Sequence, residues 1–174
     1  MPWSVTTALH RINNFRTDYM KKVLLVMFAL ITTTWTSAQT DDRLALKKLV
    51  DTCSIFADDK DVKSQMDLFT DDAELHTKNG ENVYVLKGKE QIAKAFSDFL
   101  AQFDVVYHMN GQQTVEINGD TATGISYCFE TLIGNGKRNQ SGVRFHDTYV
   151  KQNGKWLIKR RESNVMYTIL EDIE

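Results

Sequence analysis

The hydrophobic positions of this chain change period once, near residue 105. Before that point they recur every three to four residues. Leu46, Leu49, Val50, Cys53, Phe56 and Ala57 share one face of a helix predicted over 42–57. Val62, Met66 and Phe69 mark a short second helix over 62–69. Ile92, Ala95, Phe96, Phe99, Leu100 and Phe103 form the broad stripe of a third, which Gly88 opens. Two short β segments, 73–77 and 83–86, flank the Asn79-Gly80 turn. From Val105 onward the period is two. Asn118-Gly119-Asp120, Gly134-Asn135-Gly136 and Asn153-Gly154-Lys155 cut the remainder into strands over about 105–117, 121–133, 137–151 and 155–169, joined as hairpins. Helices first and an antiparallel sheet afterwards predict an α+β domain with the helices on one face. Strands this long accumulate twist, so the sheet should curl around the helices and leave a hollow for a ligand.

A separate apolar run stands upstream. Lys21 and Lys22 precede Val23 to Ile31, and Thr32 to Ala38 is a small-residue exit before Gln39. This is the pattern of a cleavable secretory signal over 20–38. Its apolar stretch is shorter than the roughly 18 residues that span a bilayer. Met20 starts the signal and residues 1–19 lack a hydrophobic period, so translation is expected to begin at Met20. The folded domain is then 39–174. It is expected to be secreted or periplasmic in a bacterium, free of the membrane once the signal is cut.

Charge narrows the partners. The whole chain carries 21 Lys and Arg against 23 Asp and Glu. Removing 1–38 takes away Arg11, Arg16, Lys21 and Lys22 but only Asp18, so the domain is more acidic still. Scattered charges of both signs leave no footprint for nucleic acid or anionic lipid. Cys53 and Cys128 are too few and too far apart for a zinc site or a CxxC pair. Each fits an apolar position as a buried thiol, and export would also permit a bridge between them. No cluster has metal-ligand spacing, and no glycine-rich phosphate loop, GxSxG or HExxH occurs. Neither a metal nor a cofactor is expected.

Four residues are the candidates for chemistry. Asp58-Asp59-Lys60-Asp61 reads as a solvated turn with Asp61 capping the second helix. Alternatively, Asp58 lies just past the apolar face of the first helix, where its carboxylate would orient or charge-balance a histidine. His108 enters the first long strand in apolar company, and burial near a carboxylate would tune its imidazole for proton transfer. On the strand 142–149, Val143, Phe145, Asp147 and Tyr149 share a face opposite His146. Asp147 would thus be a carboxylate in an aromatic wall, which must be paired or functional. Lys159-Arg160-Arg161-Glu162 reads as a solvent-facing strand, or as one from which Arg161 reaches the hollow and meets Asp147 or an oxyanion. Phe145, Tyr149, Tyr127 and Phe129 are the aromatic candidates for ligand contact.

Several short pieces recur in a suggestive order. Phe56-Ala57-Asp58 is followed by Asp61, and Met66-Asp67-Leu68-Phe69-Thr70-Asp71-Asp72-Ala73 leads into a strand. Gly88-Lys89-Glu90-Gln91-Ile92 opens the third helix and His108-Met109-Asn110-Gly111 follows it. Gly119-Asp120-Thr121-Ala122-Thr123-Gly124, Phe145-His146-Asp147-Thr148-Tyr149 and Gly154-Lys155-Trp156-Leu157-Ile158 complete the set. Over nearly all of 41–168 the chain resembles the SnoaL-like domains of the nuclear-transport-factor-2-like superfamily. The resemblance implies a cone-shaped barrel, in which three N-terminal helices pack on a strongly curved antiparallel sheet around an apolar pocket. It also implies homodimers, a small apolar or polycyclic ligand, and enzymes similar to scytalone dehydratase and ketosteroid isomerase. Asp58 and His108 align with the Asp and His of the dehydratase-like members.

The leading expectation is therefore a cofactor-independent lyase or isomerase. His108 would take a proton from carbon beside a carbonyl, Asp58 would fix its tautomer, and Asp147 or Arg161 would polarise the substrate. The rival is a non-catalytic ligand-binding or dimerisation module. Hydrogen-bond contact between His108 and Asp58, facing the hollow, would favour the enzyme.

Overall fold

The computed structural model describes residues 20–23 and 40–173. The chain divides into two units, Met1–Asp42 and Arg43–Glu174, and the fold below is that of the second. The expected signal lies outside the described residues apart from the helical stretch 20–23. Among the described residues no helix is long and apolar enough to cross a membrane.

Helix α1 (residues 40–58) and the short α2 (Val62–Met66) come first, then the hairpin β1 (Phe69–Asn79) and β2 (Asn82–Lys87). Helix α3 (Lys89–Leu100) leads to β3 (Val105–Asn118), β4 (Thr121–Gly134), β5 (Lys137–Gln152) and β6 (Lys155–Asp172). Asp61 caps α2, its Oδ1 accepting from the Ser64 amide at 3.0 Å. The helix stops at Met66, earlier than periodicity predicts, and Phe69 opens β1 as a fully buried strand residue. The hairpins close through Asn135-Gly136 and Asn153-Gly154, each with both residues at positive φ. That is the two-residue geometry whose twist matches the flanking strands.

The six strands form one sheet in the order β2-β1-β6-β5-β4-β3. The sheet is mixed rather than all antiparallel as expected, because β1 and β6 pair in parallel. Helix α3 carries the chain to the far edge so that β3 starts in the direction of β2. Three hairpin reversals later β6 runs alongside β1. The α+β class and the helices-on-one-face arrangement hold, and the sheet remains open rather than closing into a barrel.

The core lies between the helices and the inner sheet face. Leu46, Val50 and Cys53 of α1 and Ile92 of α3 pack with Phe69, Tyr149, Trp156 and Ile158. Phe96 meets Phe69 edge-to-face at 6.4 Å. Cys53 and Cys128 are both buried free thiols.

Candidate functional site

Beside this core a cavity of about 390 Å³ remains between the helices and the sheet. Its apolar lining includes Leu75, Leu86, Phe96, Phe99, Leu132 and Phe145, while Gln65, His108, Glu130, Ser141 and Arg161 are polar. Among the described residues no three or more His, Cys, Asp or Glu side chains are placed to hold a metal ion.

Asp58 is the last residue of α1, and Lys60, at φ 55, turns the chain away immediately afterwards. An anion at a helix C-terminus is disfavoured by the helix dipole. Here it is held by His108 twice. Its Oδ1 lies 2.6 Å from the ring Nδ1, and its Oδ2 accepts from the His108 amide at 3.3 Å. Asn110, two residues along β3, ties the same strand to α1, donating to Ser54 Oγ at 2.9 Å and to Asp51 Oδ1 at 3.2 Å. These contacts set the spacing between helix and strand that the Asp58–His108 bond requires.

The other ring nitrogen faces Glu130. Glu130 stands directly opposite His108 in the β3–β4 ladder, its Oε1 3.5 Å from Nε2. Burial pulls the His108 pKa down. The hydrogen bond and charge of Glu130, and then those of Asp58, outweigh it, so the net shift is upward from 6.5.

A second charged pair is anchored by Arg161, which also lines the cavity. Arg161 donates from Nε to Asp147 Oδ1 at 2.9 Å and from Nη2 to Oδ2 at 2.7 Å. Tyr149 donates its hydroxyl to Asp147 Oδ2 at 2.9 Å. The guanidinium sits 4.4 Å above the Phe145 ring, with Nη1 3.5 Å from Cys53 Sγ. Burial opposes its charge, but the Asp147 carboxylate more than compensates and Arg161 stays protonated. Burial and the neighbouring Asp147 charge push the Tyr149 phenol upward, which keeps it a neutral donor.

His108, Arg161 and Phe145 line the cavity. Asp58 supports His108 from behind, and Asp147 is spent on Arg161 and Tyr149 rather than facing the ligand space. Tyr149, expected at the ligand, is fully buried in the core instead. Tyr127 and Phe129, also expected at the ligand, do not line the cavity. They alternate with the inward Ser126, Cys128 and Glu130, so they fall on the outer face, where Tyr127 is exposed. Glu130 is not among the residues that the sequence pattern singles out. A signal for it exists: the two-residue Asn135-Gly136 turn puts Glu130 opposite Ser141, on the same face as Val143 and Phe145.

Residues 38–162 match the SnoaL-like domain family. The chain belongs to that family. Its SnoaL-like domain is similar to an uncharacterized protein of Mycobacterium tuberculosis, at 29% identity over 131 residues, covering 71% of this chain and 85% of that protein. Among solved structures, a protein of Novosphingobium aromaticivorans provisionally described as a scytalone dehydratase superposes with a TM-score of 0.70. It shares 18% identity, over 80% of this chain and 92% of that one. A hexachlorocyclohexane dehydrochlorinase from Novosphingobium barchaimii superposes with a TM-score of 0.66 at 18% identity, over 76% and 92% of the two chains. At such identities the likeness establishes the nuclear-transport-factor-2-like fold of the SnoaL-like domain.

Proposed function

We propose that this SnoaL-like domain is an exported, cofactor-independent lyase or isomerase for a small, largely apolar molecule. The observation that carries the reading is the half-buried His108 ring in the cavity wall, bonded to Asp58 through Nδ1. The carboxylate fixes the ring's orientation and leaves Nε2 on the ligand side, placed for proton transfer as acid or base. Arg161, charged and almost completely buried in the cavity wall, is suited to steady an oxyanion that develops on a carbonyl oxygen. The fold is shared with proteins named for a dehydration and a dehydrochlorination, which are both eliminations. Export is proposed from the Lys21-Lys22 and Val23–Ile31 pattern, and a homodimer from the outer sheet face, where Tyr107, Met109, Tyr127, Tyr167 and Ile169 are exposed.

The test is proton exchange in heavy water. A panel of cyclic ketones and β-hydroxy ketones is incubated with the protein and the α-protons are followed by NMR. Accelerated exchange that disappears in His108→Gln supports the enzyme. Ligands that bind without any exchange would leave a binding module, a reading favoured by the fact that Arg161 is already satisfied by Asp147.

A further inference from the structure

His108 has a carboxylate at each ring nitrogen, Asp58 at Nδ1 and Glu130 at Nε2. A neutral imidazole carries one N–H and one lone pair, and a lone pair turned toward a carboxylate is repelled by it. Two ionised carboxylates are therefore matched by the doubly protonated ring, which offers an N–H to each. An imidazolium has no lone pair with which to take a proton from carbon. Glu130 does, and it lines the cavity beside His108.

We propose that Glu130 is a second catalytic residue of this site: its carboxylate takes the proton from the ligand's carbon, and the His108 imidazolium, held by Asp58, protonates the departing oxygen. The proposal rests on reading the cavity as a lyase or isomerase site. It reverses the role expected of His108 from the sequence, making it the acid. In a β-hydroxy ketone the α C–H bond breaks, its proton moves to Glu130, and its electron pair becomes the new C=C bond. The C–O bond breaks, and the oxygen leaves with that bonding pair and takes the Nε2 proton, forming water. The proton on Glu130 then passes to Nε2 across the 3.5 Å gap, which restores both groups for the next turnover.

The surroundings fit this division of labour. Asp58 faces the ring from α1, and Arg161 stands on β6 with its charge matched by Asp147 of β5. The Cys128 thiol, next but one to Glu130 on β4, is pushed up to about 12, chiefly by burial, and is neutral. Burial of the His108 ring opposes its charge, and the two carboxylates at its nitrogens together outweigh that, in agreement with the net upward shift of its pKa.

Nitrogen NMR of the His108 ring in the full chain, near neutral pH and without ligand, reads the first half of the proposal. Both nitrogens are expected to be protonated, and the ring should lose its proton at lower pH in Glu130→Gln. A wild-type ring with a bare Nε2 near neutral pH would overturn the proposal and return the base role to His108. The second half is read with 3-hydroxycyclohexanone, whose elimination to the enone is followed by absorbance. Glu130→Gln should slow it by roughly 10²–10⁴-fold while still binding the enone. In the wild type the rate should fall as pH rises through the His108 titration. A rate that climbs through that titration, or an unimpaired Glu130→Gln, overturns the proposal alone. Enone binding with neither elimination nor α-proton exchange in the wild type overturns the lyase reading beneath it.

Discussion

Asp147 and Arg161 face one another across the β5–β6 ladder because β6 carries one residue too many. The pairing passes from Thr148–Arg160 to Tyr149–Ile158, leaving Lys159 as the bulged residue. Counted straight from the Asn153-Gly154 turn, Asp147 would oppose Arg160. The bulge moves Arg161 into its place and turns the guanidinium inward.

This pair is almost completely buried, at 3% and 6% exposure. Removing one partner strands a charge, so Asp147→Leu is expected to cost about 3–5 kcal/mol in urea unfolding. The double variant Asp147→Leu with Arg161→Met should recover most of that loss, because no unpaired charge is left. A double variant as unstable as the single would mean that packing, not charge, dominates the position.

The upward shift of the His108 pKa makes a stability prediction with a definite sign. A folded-state pKa above the unfolded value contributes stability that is fully present below the unfolded pKa and lost as pH rises through the folded one. The stability gap between wild type and His108→Gln should be largest just below pH 6.5 and shrink in alkaline solution. In Asp58→Asn the ring should titrate lower, read by NMR. An unmoved titration would show that the two side chains are uncoupled.

Helix α3 offers a contrast between two apolar positions. Its periodicity puts Ile92, Phe96 and Phe99 on one stripe, but Ile92 is fully buried while Phe99 is 48% exposed. Ile92→Ala should cost about 2–5 kcal/mol. Phe99→Ala should cost under about 1 kcal/mol, since its ring mainly edges onto Phe103 at 5.1 Å. Equal drops in melting temperature would contradict the packing described.

The outer sheet face leads to a prediction about assembly. Tyr127 and Tyr167 lie among its exposed apolar residues, so Tyr127→Glu should turn a micromolar homodimer into monomers in sedimentation velocity. A wild type that sediments as a monomer at that concentration removes the proposal.

Processing is checked by mass spectrometry of the exported protein. The small-residue exit ending at Ala38 predicts a mature N-terminus at or near Gln39. Recovery of the mature form with Met1 would overturn both export and the Met20 start.

Local pattern was enough for most of the architecture. Period and turn residues determined α1, α3 and the four long strands, because amphipathic faces and Asn-Gly turns are properties of neighbouring residues. They also put Phe145, Asp147 and Tyr149 on one face, as observed. Only the tertiary structure decided that β1 would run parallel to β6, since that follows from where α3 carries the chain. It also decided which of those residues meets the cavity, because depth in the core buries Tyr149 while Phe145 reaches the lining. The site itself depended on irregularities that no period shows. Between Asn110 and Gln113 the β3–β4 register slips by one. Without that slip His108 would oppose Thr131, an outward residue. With it, His108 opposes Glu130. A strand alternates its faces at every residue, so one extra residue decides whether a histidine meets a carboxylate or a hydroxyl.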